Sequence, residues 1–545
     1  MKILEINNLS VKFSQEGTNF EAVKGISFFL NAGEILGLIG ESGSGKSVAS
    51  QSITRLIEDA IYSGSVNYYI DNQCIDLIQC SNTQLQKIRK EEIAYIFQEP
   101  MTALNPLITC GDQIMESSFT KNNDILYDLL NKVELTDVER IAKSYPHELS
   151  GGQRQRIMIA MALAKKPNLL IADEPTTALD IAVQREILTL LKKLSIEENM
   201  GILFITHDLL SLREFADRTT VMYHGEIVEQ DKTSKILNSP NHPYTKALIE
   251  SRPSYRKKGN ILEEIGDLLV ETNGNLTYKK PKLQRLTPNI PSDEVILELK
   301  DIGKYHVQNG LFSKTKNQVL EDISLQVNRG DIIGLIGESG SGKSTIAKII
   351  LRLWKETSGT ISLHGNEIQS FSDLSKEIQL VFQDPFSSLN PKHTIGKAIS
   401  EVFQISKENL KSKEIKQKSI ELIKTVGLTD NDYQKYPHEF SGGQRQRICI
   451  AKALAKEPKF IVLDEAVSAL DVSIQAKILN LLNQLKSEKD LTYLLISHDM
   501  NVVSYFCNKL VVLKNGKIIE SGDTEELIKN PKSEYTKTLL ESSLK

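Results

Sequence analysis

The chain of 545 residues has few of the features that build disulfide frameworks, zinc sites or membrane spans. No two cysteines form a Cys-x-x-Cys pair, so we expect reduced thiols rather than a disulfide framework or a zinc site. The longest apolar stretches, such as residues 157–164, fall well short of the ~18 residues that a membrane helix needs. Any role at a membrane would therefore use partner subunits. The cysteines are Cys74, Cys80, Cys110, Cys449 and Cys507.

The chain also lacks a large excess of either charge, since 66 Lys and Arg residues nearly balance 70 Asp and Glu residues and the formal net charge is −4. This balance gives no indication of a general nucleic-acid binder with a basic surface. The first six residues contain an acid and no long apolar core, so we expect no signal peptide. With 40% hydrophobic and 25% charged residues, the composition is that of a globular protein.

What the sequence does contain is one octapeptide, Gly-Glu-Ser-Gly-Ser-Gly-Lys-Ser, at residues 40–47 and again at residues 337–344. Each copy follows an apolar run and precedes a segment that can be helical, which is the context of a nucleotide phosphate loop. Its glycines let backbone N–H groups surround an anion, the lysine reaches the terminal phosphates, and the serine offers a hydroxyl to Mg²⁺. The predicted phosphate-contacting residues are Gly40, Glu41, Ser42, Gly43, Ser44, Gly45, Lys46 and Ser47, with Gly337, Glu338, Ser339, Gly340, Ser341, Gly342, Lys343, Ser344 and Thr345.

Further motifs repeat at equal spacing, which indicates one fold used twice. Ser-Gly-Gly-Gln-Arg-Gln-Arg-Ile begins at Ser150 and at Ser441, and the glutamate of an Asp-Glu pair lies 24 positions later in both halves (174 − 150; 465 − 441). A histidine follows that glutamate by 33 positions in both halves (207 − 174; 498 − 465). The first half has extra residues around positions 62–84, which we expect to form a longer surface excursion. Residues 251–293 read as a linker with one short helix near residues 262–270.

Continuous apolar runs alternate with helical segments, as in buried parallel strands of an α/β core. Such runs include residues 169–172, 202–205 and 460–463. Ligands bind at the carboxyl ends of such strands. The repeated acidic pairs and histidines stand at those ends, which makes them candidates for a nucleotide-hydrolysing site.

The chemistry of these residues supports that interpretation. Asp173 and Asp464 can orient Mg²⁺ through a water, and Glu174 and Glu465 can polarise an attacking water as general bases. The glutamines and histidines fill the remaining roles: an amide can contact Mg²⁺ or the water, and an imidazole can donate to the γ-phosphate. These are Gln98, Gln383, His207 and His498.

The Ser-Gly-Gly-Gln motif opens an apolar helical segment, so its serine and free N–H groups offer a second anion site at a helix N-terminus. An ordinary N-cap is the alternative, which a single copy could be. One domain has no second anion for this site to hold, and this points to the ATP of a partner domain. The residues are Ser150, Gly151, Gly152 and Gln153, with Ser441, Gly442, Gly443 and Gln444.

Taken together, these motifs resemble those of ATP-binding cassette (ABC) ATPases over nearly the whole chain except the linker. The resemblance implies an α/β fold with two tandem P-loop NTPase domains, at residues 1–250 and 294–545, joined by linker 251–293. Each domain would have a mainly parallel sheet core, an antiparallel β subdomain and a helical subdomain. Cassettes of this family pair head to tail, which implies two composite ATP sites formed within the chain, with ATP and Mg²⁺ as cofactors. The implied metal contacts are Ser47, Gln98 and Asp173 in one site, and Ser344, Gln383 and Asp464 in the other.

The segments after the two glutamines narrow the resemblance. Residues 97–106 look like the D-type ATPase of oligopeptide/dipeptide/nickel importers and residues 382–391 like the F-type, so the chain resembles a D–F fusion. This implies two integral-membrane permease subunits, an extracytoplasmic solute-binding protein and a peripheral position on the cytoplasmic face of a bacterial cell membrane. No nucleic acid is expected. The cysteine cluster of some relatives is absent, so we expect no iron–sulfur centre.

Some alternatives stay open on the sequence. Phe13 is expected to stack on adenine in the first half, whereas Tyr305 or His306 could do so in the second. Both sites keep every catalytic residue type, so we expect both to hydrolyse ATP. A twin-cassette translation factor and a sugar-class importer are the competing interpretations, although the short linker and two complete sites fit them less well. Dipeptides, oligopeptides, glutathione, peptide antibiotics and nickel chelates all remain possible cargoes.

Overall fold

The computed structural model describes residues 1–15, 18–71, 73–97, 103–176, 179–272, 274–282, 284–286, 292–309, 314–368, 370, 374, 376–405, 410–467 and 470–544. The chain divides into two compact units. The first unit comprises Met1–Ser251 and Ile265–Lys280, and the second comprises Arg252–Glu264 and Pro281–Lys545. Within the described residues, no helix has both the length and the apolar character needed to cross a membrane.

The strands and helices of the first unit follow one another in an alternating order. Its strands are β1 (Lys2–Gln15), β2 (Thr18–Asn31), β3 (Ile35–Ile39), β4 (Ala60–Ile70), β5 (Gln73–Asp76), β6 (Ile93–Ile96), β7 (Leu169–Asp173), β8 (Gly201–Thr206), β9 (Arg218–Tyr223), β10 (Glu226–Lys232), β11 (Leu269–Thr272) and β12 (Asn275–Tyr278). Its helices are α1 (Lys46–Ile53), α2 (Asn82–Glu91), α3 (Cys110–Ser117), α4 (Asn123–Lys132), α5 (Val138–Lys143), α6 (Gly151–Leu163), α7 (Ile181–Glu197), α8 (Leu209–Leu212), α9 (Thr233–Asn238), α10 (Pro243–Glu250) and α11 (Ile265–Leu268), with a 3₁₀ turn at Pro146–Glu148.

The second unit repeats this order. Its strands are β13 (Val295–Asn309), β14 (Lys314–Asn328), β15 (Ile332–Ile336), β16 (Ser358–Leu363), β17 (Asn366–Glu367), β18 (Ile378–Val381), β19 (Phe460–Asp464), β20 (Thr492–Ile496), β21 (Lys509–Lys514) and β22 (Lys517–Asp523). Its helices are α12 (Lys343–Ile350), α13 (Pro385–Ser388), α14 (Ile395–Ile405), α15 (Ser412–Thr425), α16 (Gly442–Leu454), α17 (Val472–Lys489), α18 (Met500–Phe506), α19 (Thr524–Lys529) and α20 (Glu534–Leu544), with 3₁₀ turns at Tyr255–Lys257, Asp430–Gln434 and Pro437–Glu439.

Each unit contains a six-stranded core sheet and a four-stranded antiparallel sheet. The core order is β10-β9-β3-β8-β7-β6 in the first unit and β18-β19-β20-β15-β21-β22 in the second. Five strands of each core sheet run parallel, and the edge strand β10 or β22 runs antiparallel. The antiparallel sheets are β2-β1-β4-β5 and β14-β13-β16-β17.

Both faces of each core sheet are covered, which explains the continuous apolar runs in the sequence. In β3, Ile35 and Ile39 pack into the core shared with the helices, whereas Leu36 and Leu38 pack into the core shared with the antiparallel sheet. The second unit divides β15 in the same way. The predicted α/β class, with parallel cores, antiparallel β parts and helical parts, is confirmed.

The structure adds detail to two local expectations. The extra residues near 62–84, expected as a longer surface excursion, lengthen the β4–β5 hairpin, whose β4 has 11 residues against 6 in β16. The segment expected as a linker contains a β11–β12 hairpin as well as the four-residue helix α11. The Asn-Gly sequence between these strands is a strong hairpin signal. The segment is also divided between the two units, while the boundaries at residues 250 and 294 stay a prediction.

Candidate active sites

The phosphate loops connect strand β3 to helix α1 and strand β15 to helix α12. Gly45 is the N-cap of α1 with φ +99°, and a Cβ there would lie 2.6 Å from the carbonyl oxygen of Ala22. Gly342 is the N-cap of α12 with φ +107°, and a Cβ there would lie 2.6 Å from Leu320 Cδ2. Only glycine adopts this left-handed backbone at so close an approach. The repeated glycine therefore has a local structural cause, and it leaves backbone N–H groups at the start of a helix.

The loop lysines are almost fully buried and bond to their own loops. Lys46 Nζ donates to the carbonyl oxygens of Gly40 and Glu41, at 2.8 Å each. Lys343 Nζ donates to the equivalent oxygens of Gly337 and Glu338, at 2.7 and 2.8 Å. Each ammonium is thus held at the mouth of a curved loop, in position to meet an anion that enters it.

A serine hydroxyl and an aspartate face each other beside each loop, with Asp173 buried and Asp464 partly buried. Ser47 Oγ lies 3.5 Å from Asp173 Oδ1, and Ser344 Oγ lies 3.5 Å from Asp464 Oδ1. Burial raises the pKa of both aspartates above the ordinary value, because a buried carboxylate loses its hydration. Two hard oxygen donors, one of them an anion that a cation would stabilise, suit Mg²⁺.

Each candidate base adopts an unusual backbone and contacts the repeated histidine. Glu174 and Glu465 have φ of +47° and +49°, a conformation that is rare outside glycine and that is concentrated at functional sites. Glu174 Oε1 lies 3.1 Å from His207 Nδ1, and Glu465 Oε1 lies 3.5 Å from His498 Nδ1. The parallel order β3-β8-β7 explains why Glu174 and His207 lie close together, since they follow neighbouring strands that end side by side.

The second site shows how these groups influence one another. Burial disfavours the carboxylate of Glu465, but the hydrogen bond and charge of His498 outweigh it, and the net effect lowers the pKa of Glu465. Burial likewise disfavours the imidazolium of His498, but Glu465 raises the pKa of His498 overall. Gln383 Nε2 also donates to Glu465 Oε2 at 2.6 Å. The predicted Gln98 lies outside the described residues, so its contacts stay a prediction.

The Ser-Gly-Gly-Gln motifs begin helices α6 and α16. Ser150 Oγ accepts from Gln153 N at 3.2 Å, and Gln153 Oε1 accepts from Ser150 N at 3.0 Å. In the second unit, Ser441 Oγ accepts from Gln444 N at 3.4 Å, and Gln444 Oε1 accepts from Ser441 N at 2.9 Å. The serine and glutamine thus form a capping box that defines the helix start.

The two glycines of the motif differ in their surroundings. A Cβ on Gly443 would lie 2.2 Å from Ile474 Cγ2, and one on Gly152 would lie 2.6 Å from Val183 Cγ1, so the second glycine is needed for helix packing. Among the described residues, and apart from its chain neighbours and the backbone of its own helix, a Cβ on Gly442 would have no heavy atom within 4 Å. One on Gly151 would make only an ordinary 3.5 Å contact with Leu179. Packing against the described residues of its own unit therefore gives no reason for a glycine at position 442.

The aromatic candidates for adenine stacking lie on β1 and β13. Phe13 is partly buried against the antiparallel-sheet core and pairs with Phe20 across β1–β2. The β13–β14 register places His306, opposite Asn317, at the position equivalent to Phe13. Tyr305 is one position earlier and has Lys316 Nζ 4.8 Å from its ring centre. The side chain of His306 lies outside the described residues, and the prediction for Tyr305 remains untested.

Tyr95 was not among the predicted site residues, but the structure places it in the first site. Tyr95 Oη donates to Asp173 Oδ2 at 3.1 Å and lies 2.9 Å from Ser50 Oγ. Leu380 takes the equivalent place in β18, so the second site lacks this donor. A tyrosine within an otherwise apolar buried strand was the available signal, because a buried phenol needs a polar partner.

Comparison with known proteins decides the family. A family model described as "ABC transporter" matches residues 23–177 and 320–468. The chain belongs to the ABC transporter family. A second model, for the C-terminal region of oligopeptide/dipeptide transporters, matches residues 228–273 and 519–545, so each cassette ends in this region.

Named relatives agree with this assignment. The glutathione import ATP-binding protein GsiA of Salmonella paratyphi A is 41% identical over 99% of this chain and 89% of its own length. GsiA of Escherichia coli O6:H1 is 40% identical over the same shares. The solved structure of cbiO1 from Clostridium perfringens, part of the ABC transporter complex cbiONQ, is 27% identical and covers 44% of this chain and 92% of that chain, with a TM-score of 0.39.

The predicted family is therefore confirmed, with two fused cassettes of the oligopeptide/dipeptide type. The protein is an ABC ATPase, an ATP-binding subunit whose hydrolysis of ATP is coupled to transport. The first unit contains one cassette and the second unit contains the other.

Proposed function

We propose that this ATPase powers import of a peptide-like solute, with glutathione as the first cargo to test. Two relatives at about this chain's full length are named for glutathione import, and both cassettes end in the oligopeptide/dipeptide C-terminal region. That region, present twice, is the observation that carries the proposal. It also favours a peptide-type importer over the translation-factor and sugar-class interpretations.

The partners follow from the same proposal. The cargo would pass through two integral-membrane permease subunits after delivery by an extracytoplasmic binding protein. This chain would lie peripherally on the cytoplasmic face of the membrane, where ATP is available. The segments after Gln98 and Gln383 would receive the permeases.

Within each site, the proposed roles follow from the geometry. Lys46 or Lys343 turns from its loop carbonyls toward the terminal phosphates of ATP. Glu174 or Glu465 accepts a proton from the attacking water, oriented by the histidine that it contacts. When bound, Mg²⁺ supplies charge neutralisation at the phosphates, and Ser47 with Asp173, or Ser344 with Asp464, would hold it.

The Ser-Gly-Gly-Gln motif of each cassette is proposed to complete the ATP site of the other. Gly442 supports this role, since an added Cβ would meet no heavy atom of the described residues beyond its own helix within 4 Å. ATP binding would then favour the paired state of the cassettes, and ATP hydrolysis would let the cassettes separate. This is a two-state switch biased by γ-phosphate contacts.

Uptake in a strain lacking this gene tests the proposal. The strain is complemented with wild type, with Glu174→Gln/Glu465→Gln, or with Glu457→Gln as a control, since Glu457 is an exposed glutamate that also has a positive φ of +51°. Labelled glutathione, a dipeptide, a longer peptide and nickel are offered. We expect one substrate to be lost and restored by wild type and Glu457→Gln only. Unchanged uptake of all four substrates would contradict the proposed cargo class.

A further inference from the structure

A tyrosine from the C-terminal region of each cassette reaches the phosphate loop. The backbone N–H of Glu41 donates to Tyr244 Oη at 3.0 Å, across 203 residues of sequence. The backbone N–H of Glu338 donates to Tyr535 Oη at 3.1 Å, across 197 residues. Two units of different sequence thus make the same contact, and in each the tyrosine lies within the matched oligopeptide/dipeptide C-terminal region.

The tyrosine of the first unit is held from several sides. Tyr244 is fully buried near the start of α10, where His242 Nδ1 accepts from its backbone N–H at 3.2 Å. The Glu229 carboxylate accepts from the backbone N–H groups of Asn241 and His242, at 2.7 and 3.1 Å. The ring also stacks on Tyr223 at 4.1 Å. These contacts fix the position of the hydroxyl group before any nucleotide arrives.

The second unit builds an equivalent support from different residues. Glu520 accepts from the backbone N–H groups of Lys532 and Ser533, at 2.9 and 3.1 Å. Lys514 Nζ lies 4.4 Å from the ring centre of Tyr535. The carboxylate that anchors the segment before the helix is therefore repeated, whereas the ring contact differs.

The tyrosine contacts the part of the phosphate loop that positions the lysine side chain. Glu41 is the second loop residue, and its carbonyl oxygen is one of the two acceptors of Lys46 Nζ. Farther along the loop, the Ser44 carbonyl oxygen accepts from the backbone N–H of Gly225, between β9 and β10, at 3.0 Å. In the second unit, Ser341 and Gly516 make the same bond at 3.0 Å. The loop is thus tied at two points to the chain that follows β9 or β21.

We propose that Tyr244 and Tyr535 are positioning residues that hold the phosphate loops in their nucleotide-binding shape. The C-terminal region is then a structural part of each ATP site as well as an appendage of the cassette. The inference rests on the proposed role of the loops in binding ATP. It makes ATP affinity sensitive to the position of α10 and α20, because a change at either helix would reach the loop through the tyrosine hydroxyl group.

The test replaces only the hydroxyl, in Tyr244→Phe/Tyr535→Phe of the full chain. The control is Tyr68→Phe/Tyr493→Phe, because each unit then loses a buried tyrosine hydroxyl that donates to a backbone carbonyl, Glu92 O at 3.4 Å or Leu482 O at 3.0 Å. We expect the test variant to bind ATP about 5- to 10-fold more weakly, as one lost hydrogen bond with an unsatisfied donor implies. Its KM should rise more than its kcat falls, and deuterium exchange in loop residues 40–47 and 337–344 should speed up without nucleotide. The control should change none of these.

Two outcomes overturn the inference. One is an unchanged ATP affinity and exchange rate in the test variant, and the other is an equal change in the control. The single variant Tyr535→Phe repeats the measurement at the less buried tyrosine if the double variant melts early. Lys46→Ala/Lys343→Ala tests the role of the loops separately from that of the tyrosines. Normal ATP binding by this variant would refute the proposed role of the loops themselves.

Discussion

Gly442→Ala separates the folding role of the Ser-Gly-Gly-Gln motif from a role in binding. Gly442 is the first residue of α16, and beyond its own helix its added methyl group would meet no heavy atom of the described part of the chain within 4 Å. Replacing glycine by alanine in a helix stabilises it by roughly 0.5–1 kcal/mol, with less expected at the first position. The second unit should therefore melt at the wild-type temperature or slightly above it.

Activity should respond in the opposite direction. If a phosphate approaches this helix start at hydrogen-bonding distance, about 2.9 Å, the new methyl group stands in its way. With the second site silenced by Glu465→Gln, we expect ATP hydrolysis to fall by an order of magnitude or more, since removing one donor to a developing charge costs about 10²–10³ in rate. Thermal melting and steady-state ATPase assays on the same preparation give both values.

Gly443→Ala is the matched control. Its methyl group would lie 2.2 Å from Ile474 Cγ2, and such overpacking costs about 1–3 kcal/mol. Its melting temperature should fall, and Ile474→Ala should restore part of the loss because it removes the clashing atom. Wild-type turnover by a fully folded Gly442→Ala protein would refute the proposed ligand approach at this helix.

Three further predictions follow from individual contacts. Because Glu465 raises the pKa of His498, the stability that His498 contributes is complete below its ordinary pKa near 6.5 and is lost as pH rises through the folded value. The difference in unfolding free energy between wild type and His498→Gln should therefore shrink above pH 6.5. A constant difference from pH 5.5 to 9 would contradict this. Tyr95→Phe removes a hydrogen-bond donor to Asp173, and its effect is measured with the second site silenced by Glu465→Gln. ATP hydrolysis should fall about 10-fold or more, as the loss of roughly 1.5–3 kcal/mol implies. An unchanged rate would show that Tyr95 is dispensable. Asn480→Ala loses both bonds to the Leu262 backbone, at 3.0 and 2.7 Å, so residues 252–264 should be cut faster by trypsin than in the control Gln484→Ala, whose amide bonds to Glu488 of the same helix. Equal rates would oppose this.

Much of each site could be predicted because its chemistry is concentrated in short motifs. The loop at residues 40–47 and the Asp173-Glu174 pair show their strand context locally, and the second copy removes most ambiguity. Their meeting at one sheet edge follows from parallel strand order, which the apolar runs indicate. Sequence spacing therefore predicted the α/β class and the candidate residues together.

Contacts between distant segments could not be predicted in this way. The bonds of Tyr95 to Asp173 and of Tyr244 to Glu41 depend on which side chains face each other across 78 and 203 residues. The expected surface excursion near position 71 left open that its residues pair as the strands β4 and β5. The different surroundings of Gly442 and Gly443 appear only when helices α16 and α17 are packed.

The most direct test of the account is ATP binding and hydrolysis by the purified chain carrying Glu174→Gln, Glu465→Gln or both. Each substitution removes a candidate base while keeping the size of the side chain. The account predicts near-normal ATP affinity in all three variants, a reduced rate in each single variant and almost none in the double variant. Hydrolysis at the wild-type rate in the double variant would contradict the claim that these two glutamates activate the attacking water.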